Sequence, residues 1–220
     1  MNQEEVLEKT KKYVQQTLRG SSSDHDRWHI YRVWKTALLI AKEEGGNLFI
    51  TQLAALLHDI ADWKFHNLDE TLGPKKAREW LLSLNVEEQV ITHICEIITH
   101  LSFKGAGVQT PMRTIEGMMV QDADRLDALG AIGIARAFAY GGYKNREIYN
   151  PKIKPEMHKT REEHKKQYQK NTGTTINHFY EKLLLLKDRL NTPTARRIAE
   201  ERHAFMEQYL AQFFKEWNEI

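Results

Sequence analysis

The stretch AALLHDIADWKFH, residues 54–66, opens as the apolar interior of a helix and is then interrupted by His58 and Asp59, with Asp62 one turn further on. A leucine at such positions stabilises a helical core more than an ionisable group does. A buried carboxylate without a partner costs several kcal/mol, so burial needs a compensating charge. Side chains kept there against stability have work to do, and the rest of the sequence says what work.

Two other segments carry ionisable groups on apolar faces. His29 shares an i, i+4, i+8 row with Val33 and Ala37 and points inward. Asp124 heads ADRLDALGAIGIARAFA, and a helix starting there puts it in a row with Ala128, Ala131 and Ala135, small residues that admit a close neighbour. With His58 and Asp59 this makes two imidazoles and two carboxylates from three helices. Two buried aspartates repel each other, and a divalent cation removes both problems. Mixed imidazole and carboxylate ligands suit Mn²⁺, Fe²⁺, Zn²⁺, Co²⁺ or Ni²⁺. A plainer alternative stands beside this: an inward histidine is commonly a hydrogen-bonded core residue, and Asp122 or Asp124 at a helix start would serve as a cap.

Outward from these segments the pattern stays helical, with Gly and Pro mostly between periodic stretches. Helices are expected at about 24–44, 51–62, in GPKKAREWLLSL, in VEEQVITHICEIITHL, at about 114–122 and from 123 or 124 to 140. PEMHKTREEHKKQYQK, TTINHFYEKLLLLKDRL and TPTARRIAEERHAFMEQYLAQFFKEW supply two or three more. SFKGAGVQTP reads as a loop, and YGGYKNREIYNPKIKP is the longest irregular stretch, either a wall or lid over a substrate or a solvated connector. The expected fold class is all-α, a single domain over 1–220 with a metal-binding core at about 23–140. The C-terminal helical part at about 155–220 is an extension or, alternatively, a small second lobe.

Bulk properties narrow the function. A net charge of +2 gives no general reason to expect nucleic acid as a partner. The single cysteine, Cys95, forms no internal disulfide, and its isoleucine neighbours favour a buried inert thiol over a nucleophile. The charged N-terminus is no secretory signal and no apolar run approaches a membrane span, so a cytoplasmic location without a membrane partner is expected. HICEIITH is not HExxH, GxxxxGK[ST] is absent, and EERH is a lone Glu-x-x-His, which argue against a zinc protease, a P-loop enzyme and a di-iron bundle.

The order His29, then His58-Asp59, then Asp124 resembles the H…HD…D pattern of the HD-domain phosphohydrolase superfamily. DHDRWHIYRVWKTALLIA is similar to its first-His helix, LAALLHDIADW to its HD helix, and QDADRLDALG to its last-Asp segment, which puts the ligand at Asp124 rather than Asp122. HDIADWKFH, AFAYGGYKNREIYNP, TTINHFYEKLLLLKD and IAEERHAFMEQYLAQFFKEW together resemble a bacterial HD-domain family described as nucleoside triphosphate pyrophosphohydrolases, over nearly the whole chain from about Ser23. The resemblance implies an HD-domain-like helical bundle and one divalent metal ion held by His29, His58, Asp59 and Asp124. Mn²⁺ is favoured, with Mg²⁺, Ni²⁺, Co²⁺, Fe²⁺ or Zn²⁺ as other choices. It also implies cleavage of a small-molecule nucleotide to pyrophosphate and a nucleoside monophosphate. The alternatives are a nucleotide phosphomonoesterase, a cyclic or signalling-nucleotide phosphodiesterase, or a non-catalytic helical ligand-binding module.

Further roles follow if the site is of this kind. Asp62, four residues after His58 and three after Asp59, is the candidate for proton transfer, against a second reading in which it ends the helix or hydrogen-bonds a ligand. Arg32, one turn after His29, is expected to bind phosphate or to pair with a nearby aspartate. Lys64 is either a phosphate ligand or a solvated surface residue, and His100, at the end of its helix beside a Gly-rich loop, is expected in the pocket while His93 is expected on the surface. FMEQYLAQFF offers apolar surface to a second copy of the chain, so a homo-oligomer is possible.

Overall fold

The computed structural model describes residues 2–18, 27–61, 69–157, 160–163, 166 and 171–219, and among these every regular element is helical. Side-chain caps fix where most helices begin. Asn2 Oδ1 accepts from the Glu5 amide at 2.8 Å ahead of α1 (Gln3–Thr17). The helix α2 (Arg27–Glu44) stops at Gly45, whose φ of +80° suits glycine. Asn47 then caps α3 (Leu48–Leu57), accepting from the amides of Phe49 and Ile50. That cap starts the helix three residues earlier than the expected 51. The helix also ends earlier, because His58 is its C-cap and residues 58–61 form a turn.

Next come α4 (Leu72–Ser83), with Pro74 in its first turn, and α5 (Glu88–Leu101). Thr114 caps α6 (Ile115–Asp127), which leads to α7 (Gly130–Tyr143). Thr174 caps α8 (Thr175–Glu181), two short 3₁₀ turns follow at Leu183–Leu185 and Lys187–Arg189, and Thr192 caps α9 (Pro193–Asn218). TTINHFYEKLLLLKDRL is thus not one helix. Leu183 and Leu186, three apart, are both buried, which matches the three-residue period of a 3₁₀ turn.

The helix α3 explains its own composition. It packs against α1, α2, α5 and α6, and Leu53, Ala54, Ala55 and Leu57 are all fully excluded from solvent. A helix surrounded on all sides needs no polar face. Truncating Leu57 to alanine would cost about 2–5 kcal/mol. The ionisable pair sits where this central helix ends, at the bottom of a cleft. A cluster of buried apolar side chains runs from Val6 to Leu210, so α9 shares the core with the N-terminal helices.

The expected break between residues 122 and 124 is corrected. Asp124 lies in the last turn of α6, and the chain bends at Ala128 and Leu129 instead. Their amides bond back to Arg125 and Leu126 carbonyls, tightening the turn, and Gly130 follows at φ +70°. The row from Asp124 through Ala128 and Ala131 therefore does not exist. Asp122 is a cap, though of a distant helix: its carboxylate accepts from the backbone amides of Asn191 and Thr192, Asn191 Nδ2 and Thr192 Oγ1, all at 2.7–2.8 Å, at the start of α9.

Candidate metal centre

Four of the side chains singled out in the sequence converge. His29 Nε2 lies 3.2 Å from His58 Nε2. Asp59 Oδ2 is 3.5 Å from the first and 3.6 Å from the second. Asp124 Oδ1 approaches the same two nitrogens at 3.5 and 3.9 Å. Both imidazoles are buried, while the side chains of Asp59 and Asp124 remain 18% and 26% exposed, so the cluster has a dry floor and an open side.

The histidine tautomers follow from their neighbours. His58 Nδ1 is 2.8 Å from the Ala55 carbonyl, which can only accept, so Nδ1 carries the proton and Nε2 presents its lone pair. His29 Nδ1 donates to Asp127 Oδ2 at 2.7 Å. Each ring thus turns a basic nitrogen toward the two aspartates. Around a divalent cation with bonds of about 2.0–2.2 Å, neighbouring ligand atoms stand roughly 3–3.5 Å apart, close to the spacings found here. Two neutral imidazoles and two carboxylates carry two negative charges, which one divalent ion balances. The donor set therefore fits the metal ion that the sequence pattern implied. His29, His58 and Asp59 form a mutual group of potential ligand atoms within 4.8 Å of one another, and Asp124 stands outside that group while approaching both imidazoles.

Asp127 is the residue that sequence reasoning missed. It is 5% exposed and receives four charged or polar contacts. Besides His29, Arg32 grips it with Nε at 2.7 Å and Nη2 at 3.0 Å, and Arg136 Nη1 reaches Oδ2 at 2.9 Å. Burial pushes this carboxyl up, but the hydrogen bonds from His29 and Arg32 and the charge of Arg136 outweigh it. They hold it far below the ordinary carboxylate range. A carboxylate fixed in this way orients the imidazole and raises its basicity. The signal was present: Asp127 follows Asp124 by three, as Arg32 follows His29 by three, so each helix presents a residue of the cluster and a residue behind it on one face.

Arg32 takes the ion-pair alternative, with two donors committed to Asp127. His100 is exposed, its Nδ1 donating to the Glu96 carbonyl at 2.9 Å, and it lines a groove with His93, Pro111 and Arg113 that is separate from the cleft of His58 and Asp59. His93 is not a plain surface residue: Nε2 stands 2.9 Å from Thr114 Oγ1 and 3.9 Å from Glu116, tying α5 to the cap of α6. Asp62 and Lys64 lie outside the described residues. Tyr149 packs edge-on against Phe213, Phe214 and Trp217, and Thr175 and Ile176 amides bond to the carbonyls of Glu147 and Ile148, so this part of the irregular stretch is fastened to the C-terminal helices. Cys95 is half-buried, its thiol 3.4 Å from the Pro74 carbonyl. No helix among the described residues is long and apolar enough to cross a membrane.

A solvent-open cleft lies beside the cluster. Its lining includes His58, Asp59, Glu70, Pro74, Ser102 and Lys104.

This geometry has relatives. The HD domain family matches residues 28–129, which include all four clustered side chains. Bacillus subtilis YpgQ is 38% identical over 98% of this chain and 96% of its own. A solved structure of YpgQ in complex with ADP superposes with a TM-score of 0.75. A Lactobacillus plantarum protein is 41% identical over the whole of both chains with a TM-score of 0.87, and a Bacillus thuringiensis HD-superfamily hydrolase is 47% identical over 99% of both with a TM-score of 0.74. The chain belongs to the HD-domain phosphohydrolase superfamily. Within it, the protein is a hydrolase.

Proposed function

We propose that the protein is a metal-dependent nucleoside triphosphate pyrophosphohydrolase, with His29, His58, Asp59 and Asp124 holding one divalent ion, Mn²⁺ favoured. The observation that carries the reading is the convergence of two Nε2 lone pairs and two carboxylates, with His58 and Asp59 of that group lining a solvent-open cleft. The ADP complex of YpgQ supports a nucleotide as the ligand. The pyrophosphate product rests on the resemblance of the chain's motifs to pyrophosphohydrolases.

A divalent ion bound there would supply acidification of water and neutralisation of phosphate charge. The chain's own residues do the rest. The Ala55 carbonyl and Asp127 hold the two imidazoles in the required tautomers, and Arg32 and Arg136 hold Asp127. Water attacks the α-phosphorus, the bond to the β-phosphate oxygen breaks, and pyrophosphate leaves. The sequence position of Asp62, four after His58 and three after Asp59, suits it to accept the proton from the attacking water.

Product analysis by ³¹P NMR on a panel of nucleotides with Mn²⁺, with and without chelator, tests this. Pyrophosphate and a monophosphate are the expected products, and orthophosphate alone overturns the pyrophosphohydrolase assignment. An Asp62→Asn variant is expected to lose turnover while still folding and binding Mn²⁺.

A further inference from the structure

We infer that Lys104 is a phosphate-binding residue of this cleft, held in place by a loop built to present it, and that the ligand it takes is the polyphosphate of a nucleotide. The inference rests on the reading of the cleft as the substrate site.

Lys104 lines the same cleft as His58 and Asp59. It is half-buried and, among the described residues, makes no hydrogen bond or ion pair. Both acids that share the cleft have other partners. Asp59 belongs to the imidazole cluster, and Glu70 is paired with Arg161. An ammonium drawn partly out of water beside a cluster built for a cation is repelled by that cation once it is bound. An anion between the two satisfies both, and a phosphate chain has the charge and the oxygens for it.

The backbone that carries Lys104 is clamped. The Gln121 amide, fully buried, is shared among the carbonyls of His100, Leu101 and Thr110 at 3.1–3.3 Å. Arg189 donates to the carbonyls of Gly105, at 3.2 Å, Val108, at 3.0 Å, and Ala106. Its guanidinium also lies 4.9 Å from the centre of the Phe103 ring. Arg125 closes the arrangement by bonding Thr110 Oγ1 at 2.7 Å and the Arg189 carbonyl. A Gly-rich loop with its ends and middle tied to α6 and to the turn before α9 is a rigid platform. Binding groups on such platforms lose little entropy when they meet a ligand. The sequence offered only a Gly-containing loop here, and Lys104 was indistinguishable from any surface lysine.

Titration calorimetry of the full-length, Mn²⁺-loaded protein with inorganic tripolyphosphate tests the inference without requiring turnover. Lys104→Gln is expected to weaken tripolyphosphate binding about 10- to 100-fold, the size of a lost charge-assisted hydrogen bond. Lys104→Arg is expected to keep most of the affinity. Metal content by mass spectrometry stays at the wild-type level in both. A Lys104→Gln protein that binds tripolyphosphate like wild type, a wild-type protein that does not bind it, or a loss of Mn²⁺ in the variant each overturns the inference. Wild-type protein that binds tripolyphosphate through Lys104 yet hydrolyses no nucleotide sinks the proposed reaction and leaves the subsite standing. Pyrophosphate release by Lys104→Gln with an unchanged KM does the reverse.

Discussion

The Nε2 atoms of His29 and His58 face each other at 3.2 Å, each ring donating its Nδ1–H to a different acceptor. Two lone pairs at that separation repel, and two carboxylates within 4 Å add negative charge to the same small volume. The arrangement is stabilised by a cation more than by any rearrangement of its own protons. Mn²⁺ at about 100 times its dissociation constant is therefore expected to add about 2.7 kcal/mol to the folded state. Differential scanning fluorimetry with and without EDTA reads this as a rise in Tm that chelation reverses. His58→Ala should abolish the rise, and a variant that keeps it would remove His58 from the ligand set.

Asp127 is expected to set the metal affinity without touching the metal. In Asp127→Asn the side chain can offer an NH₂ to His29 Nδ1, which favours the opposite tautomer, and Arg32 and Arg136 lose the charge they share. Loss of such support at a metal ligand typically costs 10–100-fold in affinity, so Mn²⁺ calorimetry should show about that decrease. Unchanged affinity would show that the Ala55-oriented His58 and the two aspartates suffice.

The history of these residues in the sequence explains what could be read there. His29, His58 and Asp59 stood out because each interrupts an apolar row, and a polar group in an apolar row is a departure that sequence shows directly. Asp127 made no such departure: it follows Arg125 in a stretch of mixed charged and apolar residues, and its burial arises only when α2 packs on α6. The break after Asp127 was hidden for a different reason. ADRLDALGAIGIARAFA is uninterrupted by proline and rich in helix-forming alanine, so the period continues through a bend that depends on the left-handed backbone of Gly130. The early start of α3 was legible in Asn47, whose capping oxygen outranks the apolar pattern used to place the helix.

That bend is expected to be intolerant of a methyl group. A Cβ on Gly133 would lie 2.2 Å from the Ala128 carbonyl oxygen, which cannot move without shifting the end of α6. Gly133→Ala should lose about 1–3 kcal/mol in urea denaturation, despite alanine being the better helix former. Because Asp124 and Asp127 are carried by that end, Mn²⁺ affinity should fall with it. A neutral Gly133→Ala would mean that the bend relaxes at no cost to the centre.

The Cys95 thiol offers a check on the packing of α5 against α4. Burial pushes its pKa up, only partly offset by Arg78, and the thiolate is the reactive form. Its reaction with iodoacetamide at pH 8 should therefore be slower than that of a free cysteine, whose pKa is about 8.5, and should still be rising above pH 9. Alkylation followed by mass spectrometry against glutathione measures this. A rate equal to glutathione's would place the thiol in open solvent.

Asp122 and Asp124, two residues apart on one helix, are expected to fail in different ways. Asp122 accepts four hydrogen bonds from Asn191 and Thr192, and Asp122→Ala leaves buried donors without an acceptor at the start of α9. That loss should cost about 2–4 kcal/mol in denaturant melts, while the folded fraction still binds Mn²⁺ at wild-type stoichiometry. Asp124→Ala removes an oxygen that faces both imidazoles and relieves repulsion in the empty cluster, so its stability without metal should hold or rise while Mn²⁺ affinity drops. The pair of variants separates architecture from metal binding within a single turn of α6. An Asp122→Ala protein that stays stable and loses Mn²⁺ would exchange the two roles, and the geometry described for α6 would then be wrong by two residues.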